Sequence, residues 1–215
     1  MARSYSQNVF INCPFDADYR PLFESLVFVV HDCGFIARSA QEVVDTGEVR
    51  IDRIRRLIRE SKYGIHDISR TELDRSTRLP RFNMPLELGL FMGAKEFVDT
   101  EQQQKVTLVL EHRPYAYQRY CSDIAGQDVS AHLRQHGRII TAVRDWLSTH
   151  SKRSMPGGEL ITERCQKFRR QLPSMCHDVG LHRERLTFTD YTAMVVKWLK
   201  AEQELISRAP GPPVS

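Results

Sequence analysis

At 215 residues, 41% hydrophobic and 27% charged, the chain has the size and balance of one soluble domain, or one domain with a helical annex, able to bury a full core. No run approaches the roughly 18 apolar residues of a membrane helix, and "MARSYSQNVF" lacks the apolar centre of a signal peptide, so no membrane association and a cytoplasmic location are expected. The net charge of +4 is mild and the basic segments lack aromatics placed for stacking, so nucleic acid is not an expected partner. Five cysteines without a CxxC pair read as reduced thiols, and eight scattered histidines assemble no four-ligand metal site.

In chain order, residues 8–13 (NVFINC) predict a buried strand. The loop PFDADYRP follows, then a helix over 21–33 that Gly34 ends. Residues 35–39 predict a second strand, and AQEVVDTGE a polar connection. The next helix, over 49–61, carries Ile51, Ile54, Leu57 and Ile58 at helical spacing, with Arg50, Arg53, Arg55, Arg56 and Arg59 on its solvated face. A third strand over 63–68, a long loop over 69–82, a helix over 83–97 and a fourth strand over 105–110 complete this part. Strands alternating with helices at this spacing predict an α/β fold, a parallel sheet of four to five strands with helices on both faces.

Past Leu110 the pattern turns helical, near residues 138–150, 158–171 and 188–207. Ile139, Ile140, Val143, Trp146 and Leu147 form one apolar stripe, and Tyr191, Met194, Val195, Trp198 and Leu199 another, both predicting core packing. The reading is an α/β domain over 1–112, a helical extension over 113–207 packed on it, and a disordered tail over 208–215.

Ligands of parallel sheets bind outside the carboxyl ends of the strands. That rule selects Asn12 and Cys13, with Phe15 just beyond, then Arg38, then Asp67 and Ser69, and finally the loop that carries Arg81 to the next helix. The stretch RFNMPLELGLFMGA, residues 81–94, holds one acid, Glu87. Asn83 suits an N-cap and Pro85 a first turn, which sets Glu87 one turn in, on the face of Asn83, Leu90 and Phe91. Gly89 and Gly93 share another face and would permit close packing on the sheet. A carboxylate here either complements the helix dipole, worth about 0.3 to 1 kcal/mol, or lines a cleft. Its neighbours Leu86, Leu88, Leu90 and Phe91 favour the cleft, because a buried charge must otherwise be paired.

The segments NVFINCPFD, CGFIARSAQE, GEVRIDRIRRLIRESKYGIHDISR and MPLELGLFMGA follow, in order, the layout of TIR domains and of nucleoside 2-deoxyribosyltransferase-like proteins. CPFD, DISR and FNMPLELG also resemble motifs of a bacterial group allied to them. The resemblance covers about residues 8–110. It implies a flavodoxin-like or TIR-like fold and cleavage or transfer at an N-glycosidic bond, as in an NAD glycohydrolase, with Glu87 as the catalytic carboxylate. It further implies a homo-oligomer and a setting in antiphage defence, with NAD or another nucleotide as substrate and no separate cofactor or metal. Where TIR domains place a Trp-Cys-type pair before their glutamate, this chain has Phe82, Asn83, Met84 and Pro85.

Breaking a sugar-to-base bond builds positive charge on the anomeric carbon, and a carboxylate beneath it stabilises or captures that state. A neutral base also needs a proton as it leaves, whereas nicotinamide leaves oxidised NAD neutral from a cationic start. Asp67 is the candidate acid or ribose-hydroxyl ligand, capping of the SRTE turn being its structural alternative. Asn12 and Asn83 suit sugar hydroxyls, and Arg38 and Arg81 suit phosphate. Tyr115, Tyr117 and Tyr120 suit base stacking or packing under a loop. The competing functional reading is a nucleotide-sensing or TIR-like interaction module without turnover.

Overall fold

A computed structural model of the protein describes residues 5–42, 47–70, 82–124, 126 and 128–208. Among the described residues five strands, β1 (Asn8–Asn12), β2 (Ile36–Arg38), β3 (Tyr63–Asp67), β4 (Val106–Glu111) and β5 (Val129–Ala131), form one sheet in the order β2-β1-β3-β4-β5, each neighbouring pair parallel. This is the flavodoxin-like order. Its direction of winding reverses between β1 and β3, which opens a crevice beyond their carboxyl ends. There Asn12 stands opposite His66, and Asp67 opposite Leu110.

Six helices among these residues cover the sheet: α1 (Arg20–Asp32), α2 (Arg50–Arg59), α3 (Asn83–Phe97), α4 (His136–Ser151), α5 (Gly158–His177) and α6 (Phe188–Arg208). Alternate side chains of β1 divide between the faces: Val9 and Ile11 join the core under α1, while Phe10 packs with Ile54, Leu57, Ile58 and Phe91 under α2 and α3. Every residue of α1 from Leu22 to Val30 is buried, because α1 packs against β2 on one side and α4, α5 and α6 on the other. The unbroken run LVFVV is the sequence trace of that double cover. On α2 Arg50, Arg55 and Arg59 are solvated as expected while Arg53 is largely covered, and the face is laced with acids, Arg53 and Arg56 meeting Glu48 and Arg55 meeting Asp52, each at 3.1 Å.

The fifth strand of the four to five expected is β5, inside the segment read as helical extension: it pairs with Val109–Glu111, and three residues beside turn formers are too few to show strand periodicity. Two local expectations are corrected. Helix α5 runs past Gln171 and through Pro173 to His177, since Leu172 and Cys176 continue the buried stripe of Ile161, Cys165 and Phe168. Gly89 faces open space and Gly93 meets only the Phe97 ring at 3.8 Å. The close approach of α3 to the sheet is made by Gly64 of β3, where a Cβ would stand 2.7 Å from both His66 Nε2 and Phe91 Cζ.

Lys105, at the amino end of β4, is 1% exposed and donates from Nζ to the carbonyls of Ile58 (2.6 Å) and Ser61 (2.5 Å), satisfying groups at the end of α2. Burial holds its ammonium down, to about 7. Among the described residues no helix is long and apolar enough to cross a membrane, and no three His, Cys, Asp or Glu side chains are grouped to hold a metal ion. Of the tail read as disordered, 209–215 lie outside the described residues.

Candidate functional site

Helix α3 begins at Asn83 with Phe82 in the capping position and no side chain bonded to its first amides. Asn83 therefore does not cap. It lines, with Glu87 one turn later and Leu86, a cavity of about 200 Å³ whose other wall is Arg50, Ile51 and Ile54 of α2. Glu87 is 4% exposed. Burial pushes its carboxyl up to about 7, and Arg50 opposes that rise without cancelling it. The Arg50 guanidinium stands 3.9 Å from Glu87 Oε1, beyond hydrogen-bond reach. As the first residue of α2, Arg50 puts a cation where the helix dipole disfavours one, so its position is rationalised by Glu87 and not by its own helix.

Beneath α3 the amide of Asn12 donates to His66 Nδ1 (3.0 Å) and to the Met84 carbonyl (2.9 Å). Both its N–H groups are thereby used to fasten the first turn of α3 to β1 and β3, which fixes where Glu87 emerges. Burial, then the Lys105 charge, hold the His66 imidazole down to about 3, so the ring is neutral and carries its proton on Nε2.

Asp67 lies on the other face of the sheet, with Tyr63 and Ile65 of its strand turned into the α1 core. It is wholly buried and accepts from three donors, the Tyr19 hydroxyl, the Ser69 amide (2.9 Å) and the Ser69 hydroxyl, with His132 Nε2 standing 3.1 Å away. His132 Nδ1 accepts the Arg134 amide at 3.0 Å, which leaves the ring proton on Nε2, 2.9 Å from Ser69 Oγ. The basic nitrogen is occupied and the protonated one faces the serine, so Ser69, His132 and Asp67 are not a nucleophilic triad. Leu133 and Arg134 hold this turn with φ of 50° and 58°, left-handed values that bulky residues seldom adopt.

Of the candidate residues, the structure brings Glu87 and Asn83 into one cavity and leaves Asp67 out of it. Cys13, 1% exposed at the end of β1, lies within the fields of both acids: burial first, then Asp67, Glu87 and Asp16, push its thiol well above the ordinary range and keep it protonated. Arg38 is committed to Glu42 (2.7 Å) and Glu60 (3.0 Å). Phe15 lines a different cavity, and Arg81 lies outside the described residues. Tyr117 is buried and the Tyr120 hydroxyl lies 2.8 Å from Glu111, while Tyr115 is exposed. Sequence reasoning missed Arg50 and His132. An arginine opening a helix against its dipole was a signal for the first; nothing local marks the second.

No model of a known protein family matches the chain, and no curated protein matches it.

Proposed function

We propose that this protein cleaves, or transfers across, an N-glycosidic bond of a nucleoside or nucleotide, with Glu87 as the catalytic carboxylate and oxidised NAD as the first substrate. The observation that carries the proposal is a 4% exposed carboxyl, held at about 7, lining a cavity of about 200 Å³. A carboxylate stripped of water gains most when positive charge develops beside it, which is what departure of a base from the anomeric carbon supplies. NAD is favoured over a plain nucleoside by the same geometry. Among the described residues Glu87 is the only acid lining the cavity, and Asp67 lies outside it with three donors bonded to its carboxylate, so the reaction that suits this cavity needs no second acid.

Self-association and antiphage defence enter this reading through the resemblance. Phe82, Leu86 and Val49, 57% to 63% exposed at the ends of α3 and α2 that flank the cavity, support a neighbouring subunit against it. The test is chromatography of oxidised NAD, reduced NAD, adenosine and deoxyadenosine after incubation. Base release from oxidised NAD alone supports Glu87 acting singly. Release from the nucleosides as well, falling as pH rises, would require a second acid. Tight nucleotide binding by calorimetry with no base released from any of them would replace the enzyme by the sensing module.

A further inference from the structure

We propose that the protein has a second small-molecule site, independent of Glu87, which takes a neutral planar aromatic molecule bearing one carboxamide-like edge. The site is a cavity of about 290 Å³ between the loop after β1 and the start of α6. Among the described residues it shares no lining residue with the Glu87 cavity, and its α1 wall packs on the opposite face of the sheet from α2 and α3. It opens at the carboxyl edge, where parallel sheets bind ligands. Its size stands at the lower end of the roughly 300–1,000 Å³ of small-molecule pockets, which suits a single ring system.

The walls define the chemistry. Phe15 meets Phe23 edge-on at 5.4 Å, and Phe23 stacks with Phe188 of α6 at 5.9 Å, so three rings from both ends of the chain face the cavity. Aromatic walls of this kind receive a flat ring in offset or edge-on contact. Among the described residues each charge in the lining already has its counter-ion: Asp16 has Arg70 at 2.7 Å, and Glu24 has Arg20 at 3.1 Å and Arg183 at 2.6 Å. A charged ligand would desolvate without gaining a partner, so the site selects a neutral one. Gln41, exposed at the mouth, supplies a donor and an acceptor side by side, the complement of an amide or lactam edge. The walls are also fixed in place. Arg20 donates to the carbonyls of Glu184 (2.8 Å) and Arg183 (3.1 Å), and the Tyr191 hydroxyl donates to that of Glu24 (3.0 Å). The C-terminal helices are thereby bolted to α1 as half of a binding site.

The test uses benzamide as probe, with benzoate and benzamidine as its anionic and cationic counterparts, titrated into the full chain by ligand-observed NMR. Benzamide should saturate and bind about tenfold tighter than either charged analogue, the cost of an unpaired charge. Ala17→Phe, a change at an exposed lining residue that fills the cavity, should abolish binding, Gln41→Ala should weaken it several-fold, and Glu87→Gln should leave it unchanged. Benzamide that does not saturate, a charged analogue that binds as well, or undiminished binding to Ala17→Phe with a wild-type circular dichroism spectrum would each overturn the assignment. Loss of benzamide binding in Glu87→Gln would overturn its independence.

Discussion

Arg50 and Glu87 face each other at 3.9 Å across the groove between α2 and α3, the arginine 60% exposed and the glutamate side chain 5% exposed. The asymmetry matters more than the distance. A solvated cation contributes little to a partner that has left water, so Arg50 offsets only part of what burial costs the carboxylate. The molecule thus keeps an acid near 7 at the crevice edge of its sheet, where a surface glutamate would sit at 4.5.

The first consequence is thermodynamic. Folding raises this carboxyl from 4.5 to about 7, so between those values the folded state holds a proton that the unfolded chain has released. The stability gained from that proton is fully present below 4.5 and is lost as pH rises through 7. Glu87→Gln removes the titration. It should match wild type in urea unfolding at acidic pH and exceed it at pH 8 by at most about 3 kcal/mol, because each pH unit between the two values is worth about 1.36 kcal/mol. An equal difference at both pH values would contradict the burial argument.

Removing Arg50 tests the other half of the pair. Arg50 is the influence that lowers the Glu87 carboxyl, so Arg50→Ala should move its titration to higher pH. Carbon NMR of the labelled Glu87 carboxyl, followed against pH in both proteins, reads this directly, and an unmoved or lower midpoint counts against the pairing.

Asp67 should behave as a structural acceptor. Asn in its place turns an amide N–H₂ toward donors, so Asp67→Asn should lose about 3 kcal/mol or more in denaturant unfolding, while Ser69→Ala, which removes one of the three donors, should lose about 1 kcal/mol. Wild-type stability in Asp67→Asn together with lost turnover would instead place Asp67 in the chemistry.

Gly64→Ala probes the seat of α3. Its Cβ would fall 2.7 Å from His66 and Phe91, side chains that are both fully buried, so overpacking should cost about 1 to 3 kcal/mol by the same measurement. A neutral substitution would mean that α3 can lift, and that Glu87 is less firmly placed than its contacts with the sheet imply.

The α/β alternation, the parallel sheet and the Glu87 helix were readable because each depends on local pattern: the β-rich runs of β1 and β3, the Ile54, Leu57 and Ile58 spacing of α2, and the single acid in the first three turns of α3. What depends on pairing across the chain was not. β5 is a strand only because Val109–Glu111 offers it an edge, and His132 reaches Asp67 only after that strand has been placed. The roles expected of Asn12 and Arg38 followed from their position at strand ends. Position does not reveal that Met84, His66, Glu42 and Glu60 stand within reach and occupy their donors.

The most direct test of the central proposal is release of nicotinamide from oxidised NAD by wild type and by Glu87→Gln, followed from pH 5 to pH 9. With Glu87 as the stabilising carboxylate, the wild-type rate should rise with pH through about 7 as the group ionises. The folded Glu87→Gln protein should be slower by roughly a thousandfold or more at pH 8, about 4 kcal/mol of barrier at 1.36 kcal/mol per decade. Equal rates in the two proteins, or a wild-type rate that falls across the same pH range, would contradict the assignment of Glu87.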